Sequence, residues 1–211
     1  MERSDAEILW EVASVLSRDA AKVSHGRALP PLLFFTDPVR TPRPWEVAAR
    51  LPAGSGVVYR AFGATDARET ALRLREATQG RVTLLVGLDG ELAQACHADG
   101  LHLPERALDR AAALRAAHPG WLLTGAVHGR QVLSKASELD AAVLSPVFPA
   151  GGASADRPEL GVEVFSDLVG RAPCPVYALG GINARNAAGL IGSHACGIAA
   201  IGSIQSAFGA D

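Results

Sequence analysis

Short apolar runs recur along the chain, separated by longer amphipathic stretches. Eight stand out: residues 32–36 (LLFFT), 56–60 (GVVYR), 82–86 (VTLLV), 100–103 (GLHL), 121–125 (WLLTG), 141–145 (AAVLS), 175–179 (PVYAL) and 197–201 (GIAAI). Most are nearly continuous in apolar residues, the pattern of a strand whose sheet is covered on both faces. The stretches between, such as 66–78, 91–97, 108–117 and 184–191, place Ala, Leu and Ile three and four residues apart, the helical period. Helix-start signals precede two of them, Thr65-Asp66 before ARETALRLR and Asn183 before ARNAAGL.

Alternating strand and helix patterns predict a parallel sheet flanked by helices. Eight such units predict an α/β chain folded as a single (β/α)8 TIM barrel. An open doubly wound sheet would show fewer strands and a glycine fingerprint after the first, where this chain reads TDPVRTPRP. One domain over residues 1–211 accounts for the whole pattern, with the Gly/Ala/Ser stretch 150–155 as a loop inside it. Residues 1–30 form an N-terminal helical extension, in which Ile8, Leu9, Val12 and Leu16 share one face of a helix over 5–16. Only ten residues follow Ile201, enough for a shortened C-terminal helix. The extension is therefore expected to cover barrel surface that a longer last helix would shield.

Composition narrows the partners. With 48% hydrophobic and 20% charged residues the chain can bury a core and is not of the disordered class. Twenty Lys+Arg against 22 Asp+Glu give a net charge of −2, which excludes a generally basic nucleic-acid binder. No apolar run approaches the roughly 18 residues that cross a bilayer, and the N-terminus is acidic where a signal peptide needs a basic start. The chain reads as soluble and cytoplasmic, with no membrane partner. Cys96, Cys174 and Cys196 are odd in number, widely spaced and set in apolar stretches, so they read as core thiols.

Active sites of such barrels lie on the loops that follow the strands. In order, these loops offer Asp37, Arg60, Asp89, His102, His128, residues 146–155, Gly180-Gly181 and Gly202-Ser203. Glycines after the seventh and eighth strands let backbone N–H groups approach a phosphate, although Gly180-Gly181 also suits a plain tight turn. His128, after the fifth strand, is the best general acid/base, since imidazole titrates near neutrality; a structural histidine is the competing reading. His102 alternates with two leucines, so packing competes equally with function there, and His97, inside a predicted helix, reads as structural. Arg60 suits either an anionic ligand group or a salt bridge across the barrel mouth. No metal-ligand spacing, GxSxG or Walker pattern occurs.

At these same positions the sequence resembles the thiamine phosphate synthase superfamily, which also contains the thiazole tautomerases of thiamine biosynthesis. The matching stretches are LLFFTD, ADGLHL, LLTGAVH, LSPVFPAGG, PVYALGGINARN and GIAAIGSI, spanning the barrel from Leu32 to Ile204. The resemblance implies a small phosphorylated thiazole or related ligand, held by Gly180, Gly181, Gly202 and Ser203, with Arg60 and Ser145 contacting substrate. Members are often homo-oligomers, so a homo-oligomer is compatible with it, with no interface specified.

The synthases join a pyrimidine pyrophosphate to a thiazole phosphate and need magnesium and cations for the leaving group. Several of those groups are replaced here. In the family's Gln-x-Arg-x-Lys motif only Arg60 is kept, with Val58 and Phe62 at the flanking positions. Gly87-Leu88 and Ala107 stand where the magnesium aspartates belong, and Asp89 and Asp109 could substitute only with a shifted loop. The pyrophosphate-gripping Thr-x-Thr-Lys run reads Ala150-Gly151-Gly152-Ala153, and Ala126 replaces the Ser before the family histidine. Loss of even one such donor costs about 10²–10³ in rate. The half that remains is shared with the tautomerases, whose histidine after the fifth strand, matched by His128, moves a proton to aromatise the ring. The leading expectation is thus a cofactor-free and metal-independent thiazole-tautomerase-like enzyme. A magnesium-dependent synthase with relocated ligands and a non-catalytic phosphate-ligand binding protein are the rivals.

Overall fold

Eight parallel strands close into a barrel in strict chain order in the computed structural model, which describes residues 3–22, 27–152 and 157–209. The strands are β1 Leu32–Phe35, β2 Gly56–Tyr59, β3 Thr83–Gly87, β4 Gly100–Leu103, β5 Leu122–Val127, β6 Ala141–Leu144, β7 Val176–Leu179 and β8 Gly197–Ala200. The helices between and around them are α1 Asp5–Ala21, α2 Pro44–Arg50, α3 Ala67–Thr78, α4 Gly90–Ala95, α5 Ala111–Ala117, α6 Arg130–Leu133, α7 Gly161–Val169 and α8 Gly202–Phe208. Closure comes from β8 pairing with β1, Leu32 opposite Ile198 and Phe34 opposite Ala200.

The apolar runs form strands because each must bury both faces, and alternate residues serve the two sides. Leu33, Phe35, Val58, Leu85, Tyr177 and Ala199 fill the inside of the barrel. Leu32, Phe34, Val57, Leu84 and Ile198 belong to the larger outer core, packed beneath the helices. Below the strands, two acidic residues clamp their neighbours in the same way. Asp99 accepts the Leu84 N–H and an Arg75 guanidinium N–H, both at 2.7 Å. Asp140 accepts the Leu123 N–H at 2.7 Å and Arg115 at 2.6 Å. This rim has a structural role, as the N-terminal face of such barrels usually does.

The N-terminal extension is a helix longer than its pattern suggested. Ser4 and Glu7 exchange hydrogen bonds as a capping box at its start. Leu9, Val12, Ala13 and Leu16 are buried against β1, β8, α8 and the short 3-10 segment Ala187–Leu190. Thus α1 covers the seam where the first and last strands meet, beside a final helix of only seven residues.

Other expectations need correction. The stretch 184–191 forms no α-helix: the Asn183 side chain accepts the Arg185 N–H at 2.9 Å, and only a 3-10 turn follows. The stretch 108–117 begins as a 3-10 segment, Glu105–Arg110, before α5. His97 lies beyond the end of α4 in the left-handed region (φ 51°) and is exposed, so it is not helical. Asp66 does not cap α3; its carboxylate accepts the Thr70 hydroxyl instead. Cys96 and Cys196 are buried thiols, whereas Cys174 is only partly buried. Among the described residues no helix is long and apolar enough to cross a membrane.

Candidate active site

At the C-terminal ends of the strands the barrel opens into a cavity of about 540 Å³. Arg60, His128, Ser145, Gly180, Gly181, Gly202 and Ser203 all line it, so the residues singled out from strand ends meet in one place. His102 lines it too, at the floor.

His128 follows β5 and is half-buried. Its Nδ1 lies 3.1 Å from the Ser145 carbonyl oxygen and 3.2 Å from the Ser145 hydroxyl. A carbonyl can only accept, so this contact places the proton of the neutral ring on Nδ1 and leaves the lone pair on Nε2. The backbone N–H of His128 donates to Glu105 Oε2 at 3.0 Å, which fixes the start of the loop. Ser145 at the end of β6 is therefore a positioning group for His128 in this geometry.

His102, one strand away, has a different environment. It is 5% exposed, its Nδ1 is 3.0 Å from the Thr124 hydroxyl, and its ring meets Phe35 edge-on at 4.9 Å. Burial, helped by the positive charge of Arg60, pushes its imidazole down to about 3. His102 is an uncharged packed group that also lines the cavity.

Arg60 at the end of β2 is fixed by its own backbone and side chain: the N–H donates to the Thr36 hydroxyl at 3.0 Å and Nε to the Thr36 carbonyl at 2.8 Å. Its Cζ lies 5.5 Å from the Phe35 ring centre and 5.1 Å from that of Phe62. Burial lowers the guanidinium to about 10, against the opposing pull of Asp37. Nη2 is buried without a hydrogen-bond partner among the described residues, with Asp37 Oδ2 at 3.9 Å. Asp37 is engaged elsewhere, taking the Val39 and Arg40 N–H groups and the Arg40 guanidinium at 3.1 Å. Burial works to raise its carboxyl, but the hydrogen bonds from Arg40 hold it below the ordinary value.

Gly180 and Gly181 owe part of their identity to packing. Their φ values are 103° and 66°, and a Cβ would stand 2.7 Å from Pro146 Cα and 2.4 Å from the Pro149 carbonyl oxygen respectively. The loop after β7 is braced by Asn186, whose amide donates to the Gly181 carbonyl at 2.9 Å. Ser203, in the first turn of α8, has a buried hydroxyl with no hydrogen-bond partner among the described residues. The first N–H groups of that helix are also free of intrahelical bonds by geometry.

Magnesium does not fit this donor set. Asp37 is the cavity's single described carboxylate and is already bonded. Asp89 caps α4 through the Leu92 N–H at 2.9 Å. Asp109 lines a second cavity of about 600 Å³ on the other side of His128, with Glu105 and Lys135. No group of three His, Cys, Asp or Glu side chains among the described residues is placed to hold a metal.

Three lining residues escaped sequence reading: Arg40, Arg157 and the stacking role of Phe62. Arg40 carried a usable signal, standing three residues after Asp37 where an aspartate turn presents its i+3 residue. Arg157 follows a glycine-rich loop and had none.

The thiamine monophosphate synthase family model matches residues 38–204. Among curated relatives, a thiamine-phosphate synthase of Methanoculleus marisnigri is 31% identical over 142 residues, covering 66% of this chain and 67% of that one. Another from Chlorobium luteolum is 29% identical over 185 residues, covering 84% and 86%. Among solved structures, a thiamine phosphate pyrophosphorylase from Pyrococcus furiosus superposes with a TM-score of 0.68 at 23% identity, covering 84% of this chain and 91% of that one, which supports the fold. The matched span runs from the loop after β1 into the first turn of α8, taking in the loops that carry Arg60, His128, Ser145, both glycine pairs and Ser203, and the chain belongs to the thiamine monophosphate synthase family.

Proposed function

We propose that this protein is a thiazole-tautomerase-like enzyme that binds a thiazole phosphate and moves one proton on it with His128. The supporting observation is the Nδ1 contact to the Ser145 carbonyl, which leaves Nε2 of His128 as a base in a cavity large enough for the ligand. Nε2 takes a proton from one carbon of the non-aromatic tautomer, and the electron pair enters the ring system. The imidazolium then returns the proton to a second carbon, so nothing is oxidised or reduced and the gain is aromaticity. The phosphate would lie among Gly180, Gly181, Gly202 and Ser203. A seven-residue helix adds little dipole, so the unpartnered Ser203 hydroxyl and local N–H groups carry that contact. The test is tautomer conversion by purified protein in the presence of a chelator, with His128→Asn as comparison. Activity that survives the substitution rejects the assignment.

A second reading draws on the relatives' names. A synthase joining a pyrimidine pyrophosphate to a thiazole phosphate would use Arg40, Arg60 and Arg157 on the leaving group. Magnesium-dependent release of pyrophosphate during thiamine phosphate formation would establish it.

A further inference from the structure

Phe62 is a large apolar residue in a place that asks for neither size nor apolarity. It takes φ 49°, in the left-handed region, and Gly63 after it takes φ 78°. For a bulky residue that conformation is disfavoured, because Cβ comes too close to the backbone carbonyl oxygen. The side chain is 69% exposed and belongs to neither core cluster. It faces the Arg60 guanidinium, 5.1 Å from the ring centre, which is itself backed by Phe35 at 5.5 Å. A cation–π contact at an exposed site is weak, so the contact alone does not offset the backbone strain and the exposed ring. The pair of left-handed residues turns the loop after β2 so that the ring stands at the cavity wall, with Arg60 on one side and ligand space beside it.

We propose that Phe62 is a stacking platform, and that the cavity mouth selects ligands carrying a planar aromatic or heteroaromatic ring. This rests on the phosphate-binding half of the proposed function, which supplies the other anchor. The ring of the ligand lies on the face of Phe62 turned away from Arg60. Thr36 holds Arg60, Arg60 lies against Phe62, and the ligand adds the last layer. Such offset aromatic pairs confer about 0.5–1.5 kcal/mol beyond area burial, corresponding to about two- to tenfold in affinity.

Calorimetry with two probes of equal charge tests this: phenethyl phosphate and hexyl phosphate. Wild-type protein is expected to prefer the aromatic ester by about two- to tenfold. F62L, which keeps an apolar side chain, should remove the preference, and F62W should retain it. The indole introduced by F62W should also change its fluorescence with phenethyl phosphate and not with hexyl phosphate. Equal affinity of the wild type for the two esters, or a preference that persists in F62L, overturns the platform. If the wild type binds neither ester, the platform falls together with the phosphate site. Turnover that survives in H128N sinks the tautomerase reading alone.

Discussion

The floor and the rim of the cavity use the same side chain for opposite ends. His102 on β4 and His128 just past β5 stand on neighbouring strands, yet the first is buried against Phe35 and Thr124 at the cavity floor while the second is half-buried and held through Nδ1 by Ser145. Depth decides the chemistry. An imidazole that must shed its hydration to become charged, as that of His102 must, stays uncharged near neutrality. Histidine identity therefore says less about function than whether water or ligand can reach the ring.

Four measurements would break or sharpen this contrast. The largest effect is expected from H128N at the rim, with a loss of about 10²–10⁴ in proton-transfer rate and little change in Tm. A large fall in Tm would make His128 a structural residue after all. Next come L9A and L16A in α1, which attack the frame beneath floor and rim alike. Each should destabilise by about 2–5 kcal/mol in urea unfolding, since both residues are fully or almost fully buried. Deletion of residues 1–20 should be worse, and an unchanged melting curve would show that α1 is not needed to close the seam.

At the floor, H102N tests the depressed titration. His102 folds with an imidazole at about 3 against the ordinary 6.5, so between these values the unfolded chain holds a proton that the folded chain lacks. Stability then falls as pH drops from 6.5 towards 3. H102N keeps a partner for Thr124 and should reduce that slope by about 1.4 kcal/mol per pH unit; an unchanged slope would mean that His102 charges in place. The smallest effect is expected for S203A, about two- to tenfold weaker phosphate-ester binding with stability unaffected, in keeping with the loss of one hydrogen bond of ordinary net strength. Unaltered affinity would move the phosphate away from α8.

The strands were legible because burial on both faces leaves an apolar run, and each of the eight fell within two residues of its expected ends. The helices were less so. Ala and Leu at helical spacing in 184–191 did not predict that Asn183 and Asn186 would turn the chain locally and leave a single 3-10 turn. In the site, residues at strand ends were readable since the barrel brings such ends together. Arg40 and Arg157 come from long loops whose path no periodicity specifies. The double duty of Gly180 and Gly181, whose neighbours Pro146 and Pro149 leave no room for a side chain, is a contact between distant loops. No local pattern encodes it.

The position of α1 has a consequence for how the molecule is made. This helix leaves the ribosome before any strand of the barrel, yet much of its burial is against β8, α8 and the 3-10 turn Ala187–Leu190, which emerge only after β7. Its stripe of Leu9, Val12, Ala13 and Leu16 must wait for most of its partners while the strands from β2 to β7 are made. The same contacts raise the separation in sequence between interacting residues, and slow folding follows from that topology. The nascent chain, more than the finished barrel, is where this protein is open to aggregation and to chaperones.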